Sequence, residues 1–176
     1  GGVPFTVYSA SFSVSSEGVH TLNYYAVDNV GNIESPAGIL LEIDLSTPTI
    51  SAAATLSANM AGWNNTAVDV VFTGTDAVSG IAYCSPTIAI STEGPSQAAT
   101  GYCMDYAGWT STTAYFVSID TTQPKITYTQ TPSPNEYGWN SSTVTIRFVC
   151  EDSLSNVKTC PADLILHDEG LNISTF

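Results

Sequence analysis

Residues 62–73 read GWNNTAVDVVFT, and residues 138–149 read GWNSSTVTIRFV. The two stretches lie 76 residues apart, and each leads from Gly-Trp-Asn into a β-branched run that reaches a Phe. In both, apolar residues take every second position (Val68, Val70, Phe72; Val144, Ile146, Phe148), the pattern of a strand with one buried face. The same offset relates Glu17-Gly18, Glu93-Gly94 and Glu169-Gly170. It also relates Ile43-Asp44 to Ile119-Asp120, Pro48 to Pro124, Asp76 to Asp152 and Cys84 to Cys160. So many unlike residues on one spacing mark an internal repeat.

Working outward, His20–Val27, Ile39–Ile43 and Ala114–Ile119 also read as strands, and Gly, Pro, Asn and Asp punctuate the chain every 8–12 residues. No window carries a capped 3.6-residue apolar stripe, so very little helix is expected. The expectation is an all-β chain, with about seven short strands per repeat in a Greek-key β-sandwich rather than a barrel. The phase of the repeat divides the chain into 1–45, the C-terminal half of a unit, 46–121, a complete unit, and 122–176, the N-terminal half of another. Such a window is expected to be an excerpt of a longer repetitive chain.

Composition excludes several functions. Sixteen Asp and Glu face three Lys and Arg, a net charge of −13, and residues 1–124 contain no Lys or Arg. Phosphate neutralisation needs clustered cations, so nucleic acid is not an expected partner. No apolar run is long enough to span a bilayer, and no membrane insertion is expected of this segment. With 43% hydrophobic residues and 10% aromatic ones, the acidity is not that of a disordered chain. Only 11% of residues are charged, whereas Ser and Thr together number 44, so hydroxyls carry much of the polar surface.

The order Gly-Trp-Asn-x-Ser/Thr, Val-x-Val-x-Phe, Asp-x-x-Ser-Gly, Glu-Gly, Ala-Val-Asp-x-x-Gly-Asn, Ile-Asp-x-x-x-Pro resembles the tandem immunoglobulin-like repeats of large bacterial and archaeal surface proteins. Trp109 stands where the pattern has Asn32, and Asn156 where it has Gly80. The resemblance implies tandem immunoglobulin-like sandwiches in an extracellular or cell-surface stalk, sheath or filament without a catalytic centre. Its partners would be further repeats or copies of itself, joined head to tail. An adhesin or carbohydrate-binding module is the alternative.

Four cysteines allow three pairings. In an immunoglobulin-type order Cys84 ends the third strand and Cys103 lies in its sheet neighbour, while Cys150 and Cys160 flank one turn. The expected bonds are therefore Cys84–Cys103 and Cys150–Cys160, which implies an oxidising compartment. Asn64, Asn140 and Asn172 each open an Asn-x-Ser/Thr sequon, so N-linked glycans are possible partners.

Three carboxylates form the candidate metal site. Asp44 ends the last strand of the first segment, and Asp76 and Asp105 follow the second and sixth expected strands of the next. In an end-to-end stack these positions converge at the linker, a donor set suited to calcium. The competing reading is that each Asp stabilises its own turn. Tyr106 and Trp109, in the loop after the sixth expected strand, are candidates for ligand stacking or packing between repeats. Catalysis is not expected, since His20 and His167 are the only histidines and neither recurs in the repeat.

Overall fold

The computed structural model describes residues 7–167. Among these residues there is no helix, and hence none able to cross a membrane. Eleven strands follow one another: β1 (Gly18–Tyr24), β2 (Ala37–Ile43), β3 (Thr49–Ala54), β4 (Val68–Thr75), β5 (Ile81–Cys84), β6 (Ile88–Ile90), β7 (Gly94–Asp105), β8 (Thr110–Ile119), β9 (Lys125–Thr131), β10 (Val144–Glu151) and β11 (Leu164–Leu166). They form four separate sheets, ordered β1-β2, β3-β4-β6, β5-β7-β8 and β11-β10-β9. The pairings β1–β2, β3–β4, β5–β7, β9–β10 and β10–β11 are antiparallel. Among the described residues the protein is all-β, with several antiparallel sheets consistent with a β-sandwich.

Two compact units are present. One holds the described residues up to Thr55 together with Asp69–Ile88 and Ala98–Tyr115, and the other holds Leu56–Val68, Ala89–Gln97 and the described residues from Phe116 onward.

In the first unit, β1 and β2 form a hairpin in the register Gly18↔Ile43 to Tyr24↔Ala37. Strand β3 pairs with β4 from Thr49↔Thr75 to Ala54↔Val70, and β5 pairs with β7 through Cys84↔Cys103, with a bulge near Ile81. Two glycines show how closely the β3–β4 and β5–β7 layers approach. A Cβ on Gly101 would stand 2.6 Å from the Phe72 ring, and one on Gly74 would stand 2.8 Å from the Cys103 sulfur. The alternation foreseen for VDVVF holds, with Val68, Val70 and Phe72 buried and Asp69 and Thr73 exposed.

The second unit carries the β11-β10-β9 sheet, with β10 registered against β9 from Thr145↔Thr131 to Glu151↔Lys125. Val68, Val117, Ile119 and Val144 are its buried apolar residues. Asn64 is stitched alongside β8: its amide donates to the Ser118 carbonyl, and the Asp120 amide donates to the Asn64 carbonyl, both at 2.9 Å.

Residues 46–121 contain six strands rather than about seven. The connection between β5 and β6 is only Ser85-Pro86-Thr87, too short for another strand and interrupted by a residue without an N–H. Several apolar side chains of the outlying sheets face solvent, among them Val19, Tyr24 and Leu40 in one unit and Ile126 and Tyr128 in the other.

Candidate functional site

The turns after β2, β4 and β7 meet in the first unit, and each is organised by an aspartate. Asp44 follows β2, and its Oδ1 accepts the Ser46 amide at 3.0 Å and the Ser46 hydroxyl at 2.9 Å. This local turn leads the chain to the buried Pro48. Asp76 follows β4, and its Oδ1 accepts three successive amides, from Val78, Ser79 and Gly80, at 2.9–3.0 Å. Asp105 ends β7, and its Oδ1 accepts the Trp109 amide at 2.9 Å. Local side-chain-to-backbone bonding of this kind is what places Asp and Asn in turns.

Further bonds join the three turns. The Ser79 amide also donates to Asp44 Oδ2 at 3.2 Å, the Trp109 indole Nε1 donates to the Asp44 carbonyl at 3.1 Å, and the Tyr106 amide donates to the Gly80 carbonyl at 3.2 Å. As a result Asp44, Asp76 and Asp105 each bring a carboxylate oxygen to within 4.8 Å of the other two. The structure thus brings these three residues together, while each Asp also serves its own turn.

The electrostatics are unbalanced. Asp105 is only 1% exposed, and its Oδ2 is buried without a hydrogen-bond partner. The Ser79 hydroxyl is likewise buried, beside Asp44. That hydroxyl, followed by the Ser46 groups and the Ser79 amide, draws the Asp44 carboxyl down to about 2 against the opposing effect of burial. No Lys or Arg is available from residues 1–124 to neutralise the group.

A second set of bonds matches the first at the 76-residue offset. Asp120 Oδ2 accepts the Ser155 amide at 3.0 Å, as Asp44 accepts Ser79, and Asp152 Oδ1 accepts the amides of Leu154 and Asn156 at 3.1 and 2.9 Å. The Ser155 side chain is the largest influence holding the Asp120 carboxyl below its ordinary value. Glu17 accepts the Leu45 amide at 2.9 Å, and Glu93 accepts the Thr121 amide at 2.7 Å. Glu93 also takes the hydroxyls of Thr121 and Thr122, and these hold its carboxyl below its ordinary value.

The other candidates fall as follows. Cys84–Cys103 and Cys150–Cys160 are both bonded, and no free cysteine is present among the described residues. Cys84 and Cys103 are direct cross-strand neighbours, so this bond staples two strands of one sheet. Two disulfides indicate a non-reducing environment. Asn64 is half-buried, and its side-chain Nδ2, the atom a glycan would occupy, donates to the Ser118 carbonyl at 3.3 Å. Asn64, Asn65 and Thr66 line a cleft of about 480 Å³ with Asp120 and Ser155. Asn140 is half-buried with its Oδ1 unpartnered, and Asn172 lies outside the described residues. Tyr106 is 75% exposed, whereas Trp109 is tied to the Asp44 carbonyl. His20 bonds the Ser16 carbonyl at 2.8 Å, and His167 lies 3.3 Å from the Thr143 hydroxyl.

Sequence reasoning assigned no role to Glu17, Glu93, Ser79 or Ser155. The recurring Glu-Gly pair signalled the first two, but bonding partners 28 residues away are not visible in a local pattern. It also missed one loop built four times. Asp28, Asn59, Asp105 and Asn135 each accept, through Oδ1, the amide four residues later, ahead of which stands a Gly with φ of 84–95°. The signal was Asx-x-x-Gly followed by Trp or Asn.

The chain gives no significant match to protein-family models, to curated proteins or to solved structures.

Proposed function

We propose that the protein is a non-enzymatic extracellular structural protein, a run of immunoglobulin-like repeats serving a stalk, sheath or filament. The observation that carries this reading is the recurrence of one set of linker bonds. Asp44 with Ser79 and Glu17 with Leu45 have counterparts in Asp120 with Ser155 and Glu93 with Thr121. A chain that repeats its linkers as faithfully as its strands is built to hold successive segments in a set relation. On this reading 1–45, 46–121 and 122–176 are a C-terminal half, a whole repeat and an N-terminal half.

Strand order supports the same reading. An immunoglobulin-type sandwich places its first, second and fifth strands in one sheet and its third, sixth and seventh in the other. The orders β3-β4-β6 and β5-β7-β8 correspond to these once the fourth strand is omitted. Disulfides favour an extracellular location. The exposed apolar residues of β1, β2 and β9 favour completion by further repeats or further copies of the chain, because bare sheet faces are poor endpoints.

Intact mass of the native protein tests the polymer reading. A mass many times 18.5 kDa is expected, and one near that value plus glycan defeats it. The alternative, an adhesin or carbohydrate-binding module, draws on the exposed Tyr106. Glycan-array binding that is abolished by Trp109→Ala would favour it over the spacer.

A further inference from the structure

We infer that Asp44, Asp76 and Asp105 form a binding site for a hard divalent cation of the calcium type. The convergence of three acids would not establish this alone. The second observation is the state of Asp105: it is 1% exposed, one oxygen is used by the Trp109 amide, and the other is buried without a partner within the cluster. Buried polar atoms are nearly always satisfied, and a buried carboxylate facing two others is costly unless positive charge lies among them.

The neighbouring groups do not supply that charge. The amides of Ser46, Val78, Ser79, Gly80 and Trp109 already occupy Oδ1 of the three aspartates, and residues 1–124 provide no Lys or Arg. The ligand atoms these residues offer are carboxylate oxygens, of which Asp44 Oδ2 also takes the Ser79 amide at 3.2 Å, and the buried Ser79 hydroxyl is a neutral addition. All four cysteines are in disulfides, so a soft thiolate site is excluded among the described residues. Three carboxylate oxygens within 4.8 Å of one another can share one ion. Calcium takes six to eight oxygens in a flexible geometry that water can complete, whereas magnesium demands a near-ideal octahedron, so an irregular three-carboxylate set favours calcium. Because all three residues lie in one compact unit, the inference does not depend on the chain being a stalk.

The test uses the full chain, stripped with a chelator and kept at physiological ionic strength. About one equivalent of calcium is expected to bind, with Kd between about 10⁻⁵ and 10⁻³ M, and to raise the melting temperature. Terbium(III) emission excited through tryptophan should appear and be displaced by calcium, because the Trp109 indole is bonded to the Asp44 carbonyl. Asp105→Asn keeps the acceptor for Trp109 and removes the charge, and should weaken calcium by about tenfold or more. Should that variant fail to fold, Asp76→Asn carries the same expectation, while Asp69→Asn, on the exposed face of β4, leaves binding unchanged. No saturable titration and an unchanged melting temperature at about 5 mM calcium would overturn the inference. So would saturable binding that neither Asp105→Asn nor Asp76→Asn alters.

Discussion

Gly101 offers the sharpest test of how the two layers of the first unit pack. Replacing it with alanine adds one methyl group, placed 2.6–2.7 Å from three atoms of the Phe72 ring. Carbon atoms are at their best separation near 3.5–4.0 Å, so the overlap is about 1 Å. The ring cannot swing away freely, because Phe72 is only 5% exposed. The Gly101 backbone is not in the left-handed region, so alanine meets no conformational penalty there. Lower unfolded-state entropy would by itself favour alanine by about 0.5 kcal/mol. Overpacking of this kind costs about 1–3 kcal/mol, and the steric effect wins, leaving a net loss of about 1–2 kcal/mol. Urea unfolding of the full chain, followed by circular dichroism, measures it. Phe72→Leu supplies the control: alone it opens a cavity, but beside Gly101→Ala it makes room for the methyl. The double variant should therefore be more stable than the two separate losses imply, by about 1 kcal/mol. Additive losses, or a Gly101→Ala protein as stable as the parent, would refute the close approach of the layers.

Gly108 is the contrasting case. Its φ is 95° and a Cβ there meets nothing within 4 Å, so Gly108→Ala should cost about 1 kcal/mol through the backbone alone, with no relief from trimming any neighbour. Alanine replacement of Cys84 with Cys103 should cost about 3 kcal/mol, and of Cys150 with Cys160 about half a kcal/mol less, from loop lengths of 19 and 10 residues. The reverse order in urea unfolding would contradict the loop-entropy account. Glu93 has its carboxyl held below the ordinary 4.5 in the folded chain, so its contribution is complete above that pH and is lost as acid protonates the folded form. Stability measured on descending from pH 4.5 should therefore fall more steeply in the parent than in Glu93→Gln. Parallel profiles would remove Glu93 from the linker's account.

Strands with one buried face were legible in the sequence because side-chain alternation is a local property. Val68, Val70 and Phe72 declared β4 without help from the rest of the chain. The cysteine pairing was legible once strand neighbours were assumed, and the three aspartates could be brought together from loop position alone. The absent seventh strand was not legible, because only the shortness of Ser85-Pro86-Thr87 in space shows that no strand fits there. Nor were Glu93 and Ser79, whose partners lie 28 and 35 residues away and depend on where a turn comes to rest. Trp63 and Trp139 read alike, yet one is half-buried and the other 66% exposed, since burial is decided by what packs alongside.

The cross-strand disulfide has a mechanical meaning. A chain pulled from its ends lengthens by about 3.3–3.6 Å for each residue released. With Cys84 bonded to Cys103, the 19-residue interval between them cannot be paid out, which removes about 60–70 Å from the extension of an unravelling segment. The Cys150–Cys160 bond withholds about 35 Å more. An oxidised chain under load would thus give way in shorter steps than a reduced one, and the redox state of its surroundings would set how far it can stretch before it breaks.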